Sequence, residues 1–159
     1  MKKVVVIVMS LMNIVLEASV VDKAVNFIAT EENFVATPYI CPGGQRTIGY
    51  GCTDEDVLAK GKVTKAEAKA ILKKRVELEM RWLKFRCPNL NDNQLAAVTS
   101  LLYNLGRTKF SKSMTFKCLV AGNYEQAKKE WAEFRLAGGK VSNGLVARRT
   151  RELALFDRK

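Results

Sequence analysis

Two adjacent glutamates, Glu31 and Glu32, precede a short glycine-rich stretch, Arg46-Thr47-Ile48-Gly49-Tyr50-Gly51. A carboxylic acid facing a cleft can protonate a leaving oxygen. Hydrolysis of a glycosidic bond needs such an acid, plus a base or nucleophile on the other face of the sugar. Neighbours on a helix point about 100° apart, so only one of the pair can face inward. Periodicity does not separate them, and a glutamate at a helix end is most often simply solvated. The chain has no histidine. That removes Ser-His-Asp and Cys-His nucleophiles, whose base is an imidazole. It also removes HExxH zinc hydrolases, which need two histidine ligands.

Four cysteines remain: Cys41, Cys52, Cys87 and Cys118. None forms a CxxC pair, which argues against a structural zinc site; no metal or cofactor is expected. In an exported chain some could form disulfides, Cys87 with Cys118 being one candidate. Otherwise each serves as a small buried hydrophobe.

These residues need a scaffold, and the composition provides for one. The chain has 159 residues, 48% hydrophobic and 27% charged, which suits one folded domain with its own core. Twenty-seven Lys+Arg against 16 Asp+Glu give a net charge of +11. Such a field attracts polyanions: nucleic acid, anionic lipid or an acidic cell wall. The dense basic stretch from Lys60 to Arg86 reads first as a solvated helix face.

Lys2 and Lys3 precede an apolar run, Val4 to Leu16, interrupted at Ser10 and Asn13, with Glu17, Ala18 and Ser19 after it. A basic start, a run of this length and a small-residue exit describe a secretory signal peptide. An A-x-A site is absent, so a weak signal anchor that stays attached is an alternative. A buried first element of the domain is another. Residues 1–20 are set aside on this reading, leaving residues 21–159 as the domain, exported to the periplasm or beyond.

Val21 to Glu31 has helical apolar spacing. Pro38, Pro42 and Gly43-Gly44 then break regularity, and Arg46–Gly51 reads as a strand of a small hairpin sheet. Thr64 and Glu67 form a capping box that predicts a helix towards Phe85. Asn91 and Gln94 start another, stopped by Gly106. Helices are predicted from Ser113 to Ala121 and from Tyr124 to Leu136, ended by Gly122 and Gly138-Gly139. A last one begins near Leu145. A helix, a small β element and then many helices make an α+β fold with a cleft between sheet and helical mass.

The segment from Glu32 to Thr53 resembles the active-site segment of glycoside hydrolase family 24, the phage lysozymes. That family has a Glu, eight residues, an Asp or sometimes a Cys, five residues and a Thr, followed by a TIGYGHT-like strand. Glu32, Cys41 and Thr47 fall at that spacing, and Thr47-Ile48-Gly49-Tyr50-Gly51 continues it. The run from Gln94 to Gly106 resembles the family's long central helix, including Asn104. Gly138-Gly139 and the stretch Gly144 to Glu152 resemble its GG…GL..RR..E signature.

The resemblance implies a lysozyme-like α+β fold and an endolysin or muramidase. Such an enzyme cuts the β-1,4 bond between N-acetylmuramic acid and N-acetylglucosamine of peptidoglycan and lyses the host cell. It selects Glu32 over Glu31 as general acid. It assigns Thr47 to hold the attacking water and Cys41 to replace the second carboxylate. It points to Arg149, more than Arg148, as the residue that orients Glu32, with Tyr50, Gly51 and Asn104 supporting the site. Peptidoglycan is the implied partner. A monomer is expected, with transient membrane contact through the N-terminal segment and no nucleic acid. Three positions depart from the family: Cys41 for Asp, Asn33 for Gly, and Cys52 for His. An ordinary thiol, with a pKa of about 8.5, is only a few per cent ionised at pH 7, and Arg46 or another cation is the expected means of lowering it. A lysozyme-like module that binds peptidoglycan without cutting it is the alternative that loss of the Asp raises.

Overall fold

The computed structural model describes residues 16–41 and 43–159. The N-terminal run read as a signal or anchor lies outside them up to residue 15. Helix α1 runs Ala18–Glu32, so Ala18, Ser19 and Val20 continue the first helix of the domain, with Val20 and Val21 buried. Strands β1 (Val35–Ile40) and β2 (Arg46–Gly49) form an antiparallel hairpin. Helix α2 (Glu55–Leu58) is one turn long, and α3 (Lys65–Arg86) is the longest element described. Then come α4 (Asp92–Leu105), α5 (Arg107–Ser111), α6 (Met114–Val120) and α7 (Tyr124–Ala132). A two-residue-per-strand hairpin, β3 (Leu136–Ala137) and β4 (Lys140–Val141), leads to α8 (Asn143–Phe156).

Helix α4 is the hub. Eight consecutive residues, Leu95 to Leu102, are buried, which an amphipathic surface helix cannot show. It packs against α8, α1 and α3, and its apolar side chains meet Ile28, Met80 and Leu83 in one core. Each such side chain contributes roughly 1.5–3 kcal/mol by leaving water. The predicted capping box of Thr64 with Glu67 opens α3, and the predicted start at Asn91 and Gln94 opens α4 and is also a capping box.

The fold departs from the sequence expectations in several places. Pro38, taken as a breaker, lies inside β1; proline offers no N–H to a ladder, and the register shifts between Val35 and Tyr39, the interval that holds it. The helix predicted to reach Leu136 ends at Ala132, and Gly138-Gly139 turns the β3–β4 hairpin instead of capping a helix. The short helices α2 and α5 carry no periodic signal and were not foreseen. All four cysteines are free thiols, so the Cys87–Cys118 pairing is not formed.

Asn33, which closes α1, has φ 55° and ψ 155°. That region is essentially reserved for glycine. The departure from the family's Gly therefore places a strained residue between the helix carrying Glu32 and the first strand.

Candidate active site

A cleft of about 670 Å³ lies where the β1–β2 hairpin faces α3 and the C-terminal end of α4. Glu32, Cys41, Thr47, Tyr50, Gly51 and Asn104 all line it. Arg148 and Arg149 do not; both are buried behind it, at 5% and 2% exposure.

Glu32 ends α1, and its carboxylate is one-fifth exposed. Arg148 Nη1 donates to its Oε1 at 2.6 Å. The partner is thus Arg148 and not Arg149, correcting the sequence expectation. Arg149 instead donates through Nη2 to Asn104 Oδ1 and Glu152 Oε1, both at 3.0 Å. The two arginines stand about 100° apart on α8, so one reaches α1 while the other reaches the end of α4. Glu31 turns away and is gripped by Arg151 at 2.6 and 2.8 Å. Two neighbouring glutamates therefore meet two arginines on the same helix, and only Glu32 faces the cleft.

The centre of this network is Glu152, fully buried. Its Oε1 accepts from Ser100 Oγ at 2.7 Å and Arg148 Nε at 3.1 Å, and its Oε2 accepts from Trp131 Nε1 at 2.9 Å. Arg149 Nε is 2.8 Å from Oε2 but is not aligned to donate, so there the contact is ionic. Two guanidinium groups thus meet two carboxyl groups, those of Glu32 and Glu152. Burial works against charge at both arginines. At Arg148 the carboxylates of Glu32 and Glu152 outweigh it and raise the pKa, whereas at Arg149 burial prevails and lowers it. The sequence reading gave Glu152 no role, although it closes the GL..RR..E pattern. Its signal was an acid three and four residues after two arginines on one helix.

The free oxygen of Glu32, Oε2, faces Gly51. A Cβ built on Gly51 would sit 3.4 Å from it, and Gly51 has φ +84°. Glycine at this position lets backbone pass beside the acid. Gly49, with φ +68°, does the same against α3, where a Cβ would lie 3.1 Å from that of Ala68. Tyr50 is held by Tyr103, whose hydroxyl donates to the Tyr50 carbonyl at 2.6 Å. Burial, and then the charge of Glu32, push the Tyr103 hydroxyl well above the usual phenol pKa, so it stays a donor. Tyr103 also lines the cleft and was missed in sequence, because an aromatic at helical spacing reads as core.

Cys41 lies in the turn that joins β1 to β2. Its N–H donates to Gln45 O at 2.9 Å, and Gly44 N–H donates back to its carbonyl at 2.8 Å. The thiol pKa is lowered, chiefly by the Gln45 backbone N–H; burial opposes this, and the Gly43 backbone N–H and the Thr47 hydroxyl add smaller lowering effects. Thus the turn's own N–H groups supply what the sequence reading assigned to Arg46 or another cation. Thr47 is buried at 4% exposure, and its hydroxyl lies 3.0 Å from Gln45 O as well as within reach of the Cys41 sulfur. Cys52 also lines the cleft, but burial and then the charge of Asp54 raise its pKa. The two thiols of the cleft are thus shifted in opposite directions, Cys41 down and Cys52 up. No group of His, Cys, Asp and Glu suited to a metal occurs among the described residues.

A sequence model of the phage lysozyme family matches residues 29–152. An endolysin of Acyrthosiphon pisum secondary endosymbiont phage 1 is 31% identical over 142 residues, 86% of this chain and 96% of that protein. An endolysin of Bacillus phage B103 is 33% identical over 69% of this chain, which spans only 42% of that relative's length. A SAR-endolysin of Enterobacteria phage P21 is 31% identical, over 75% of this chain and 74% of that protein. Among solved structures, the muramidase domain of SpmX from Asticaccaulis excentricus matches with a TM-score of 0.75 over 86% of this chain and 95% of that one. At 24% identity that likeness is one of fold.

Proposed function

This chain belongs to the phage lysozyme family and is a peptidoglycan-lytic glycoside hydrolase, and from that premise we propose how its cleft cuts the bond between N-acetylmuramic acid and N-acetylglucosamine. Glu32 donates a proton to the leaving oxygen. Arg148 fixes Oε1, so Oε2, the oxygen beside Gly51, carries and delivers that proton. The Cys41 thiolate supplies the anion on the other face of the sugar, and the Thr47 hydroxyl orients the water. Arg149 holds the Asn104 side-chain oxygen, which leaves the amide N–H groups of Asn104 for substrate.

The observation that carries this reading is the meeting of Glu32, Cys41 and Thr47 in one cleft, with the acid's second oxygen free. A bare wall-binding module needs neither a lowered thiol pKa nor an acid with one oxygen held and one open. Clearing of purified peptidoglycan tests it. Glu32→Gln is expected to lose roughly 10³–10⁴-fold, the upper range for general acid catalysis. Equal clearing by the variant and the wild type would remove the acid role. The anomer released, read by NMR, assigns Cys41: retention means a thioglycosyl intermediate, inversion means a base.

The likeness to a SAR-endolysin supports export to the cell wall. The N-terminal apolar run, Val4 to Leu16, supplies the exporting segment, with passing membrane contact, and the domain acts as a monomer without nucleic acid. The net charge of +11 suits an anionic wall. Mass spectrometry of the exported protein tests the segment: an intact N-terminus denotes an anchor, a shortened one a cleaved signal.

A further inference from the structure

We propose that Arg75 is a specificity-determining residue that holds a carboxylate on the muramyl side of the substrate. The inference rests on the muramidase reading above. Four charged side chains line the cleft among the described residues: Glu32, Asp54, Glu79 and Arg75. Arg75 is the cation of the set. An anionic substituent entering this cleft meets carboxylates everywhere else.

Arg75 is also held for the task. Its Nε donates to Glu79 Oε1 at 3.2 Å. Glu79 is itself buried at 3% exposure, on the face of α3 turned to the core. Its other oxygen is gripped by Arg107, at 2.9 Å from Nε and 2.8 Å from Nη2. The Arg107 guanidinium in turn lies over the Trp82 ring, 5.2 Å from its centroid. Glu79 thus has a full counterion in Arg107 and does not need Arg75 for neutrality. The second arginine is left half exposed. Its Nη1 is 4.0 Å from Asp54 Oδ1, a loose, half-exposed ion pair too long for a hydrogen bond, which a substrate carboxylate can displace. A guanidinium pinned through Nε presents its Nη groups as a flat fork, the shape that matches a carboxylate.

Peptidoglycan offers carboxylates at the muramyl position from two sources. One is the stem peptide; the other is the lactyl group once the peptide is removed. N-acetylglucosamine has none. Arg75 therefore distinguishes the muramyl side of the cleft from the neutral side.

The test uses three forms of one glycan: strands with peptides, strands stripped by an amidase to free lactyl carboxylates, and stripped strands with those carboxylates converted to methylamides. KM and kcat are measured on each for the wild-type protein, Arg75→Ala and Arg75→Lys. Arg75→Ala is expected to raise KM about fivefold on a charged strand relative to the neutral one, the scale of a half-exposed ion pair. Arg75→Lys restores part of it, as a point charge without the fork. A rise confined to peptide-bearing strands places the carboxylate on the peptide; a rise on stripped strands places it on the lactyl group. An unchanged ratio of KM between charged and neutral strands overturns the role of Arg75 while leaving the muramidase reading intact. Failure of the wild-type protein to cut any strand overturns both.

Discussion

The two halves of the cleft are built on different physics. Behind Glu32 lies a buried lattice of charge: Arg148, Arg149, Glu152, Ser100 and Trp131, drawn from α4, α7 and α8. Around Cys41 the support is one exposed turn, its backbone N–H groups and the Thr47 hydroxyl. The acid is positioned by long-range contacts, Glu32 and Arg148 standing 116 positions apart in sequence. The thiol is positioned by its next few neighbours. Damage to the first half should therefore register as lost stability, and damage to the second as lost activity alone.

The largest expected effect falls on the buried lattice. Glu152→Gln leaves two buried guanidinium groups facing one carboxylate, and breaking such a pairing costs about 3–5 kcal/mol. Urea denaturation should show the unfolding free energy falling by that amount, seen as a lower midpoint with the slope unchanged. A variant as stable as the wild type would mean that Glu32 alone suffices to balance the arginines.

Next comes the thiol. Alkylation of Cys41 should lower activity by about 10²-fold, the low end for loss of an acid–base group, with the urea midpoint unmoved. Cys41 should also react before Cys52, because one thiol pKa is lowered and the other raised. If the thiolate is the active form, activity rises with pH through the Cys41 pKa, which lies below that of an ordinary thiol. Cys41→Asp should move that limb several pH units towards acid, since a carboxylate ionises at about 4. A limb that stays in place after this change would show that another group governs it.

The smallest effect concerns the joint between the halves. Asn33 holds a backbone conformation that costs about 1–3 kcal/mol for a residue with a side chain. Asn33→Gly should raise stability by about 1 kcal/mol, read from the same denaturation curves. It should leave activity little changed, because the helix end and the strand keep their places. A destabilised glycine variant would show that the Asn33 side chain makes a contact that outweighs the strain.

Much of the fold was legible because its signals are local. Thr64 with Glu67 and Asn91 with Gln94 marked helix starts that form as written, since a capping box is satisfied within four residues. The spacing of Glu32, Cys41 and Thr47 was legible only through the resemblance to the phage lysozymes, since no local signal separates Glu32 from Glu31. β1 was not, because Pro38 is tolerated only when the partner strand yields its register. The β3–β4 hairpin was not, because two residues per strand carry no period.

At the site the division is the same. The residue types, the order of acid, thiol and hydroxyl, the absence of histidine and the strong positive charge belong to the chain as written. Only tertiary packing decided which arginine meets Glu32. Arg148 and Arg149 are adjacent and chemically alike, and their fates diverge because α8 presents one to the end of α1 and the other to the end of α4. Packing likewise turned Glu152 from a plain helix acid into the hub of a buried network, and left Arg75 half free beside a Glu79 that Arg107 already neutralises. Local signals name the groups. Which charges become partners depends on which faces of distant helices share a dry interior, where an unpaired charge cannot remain.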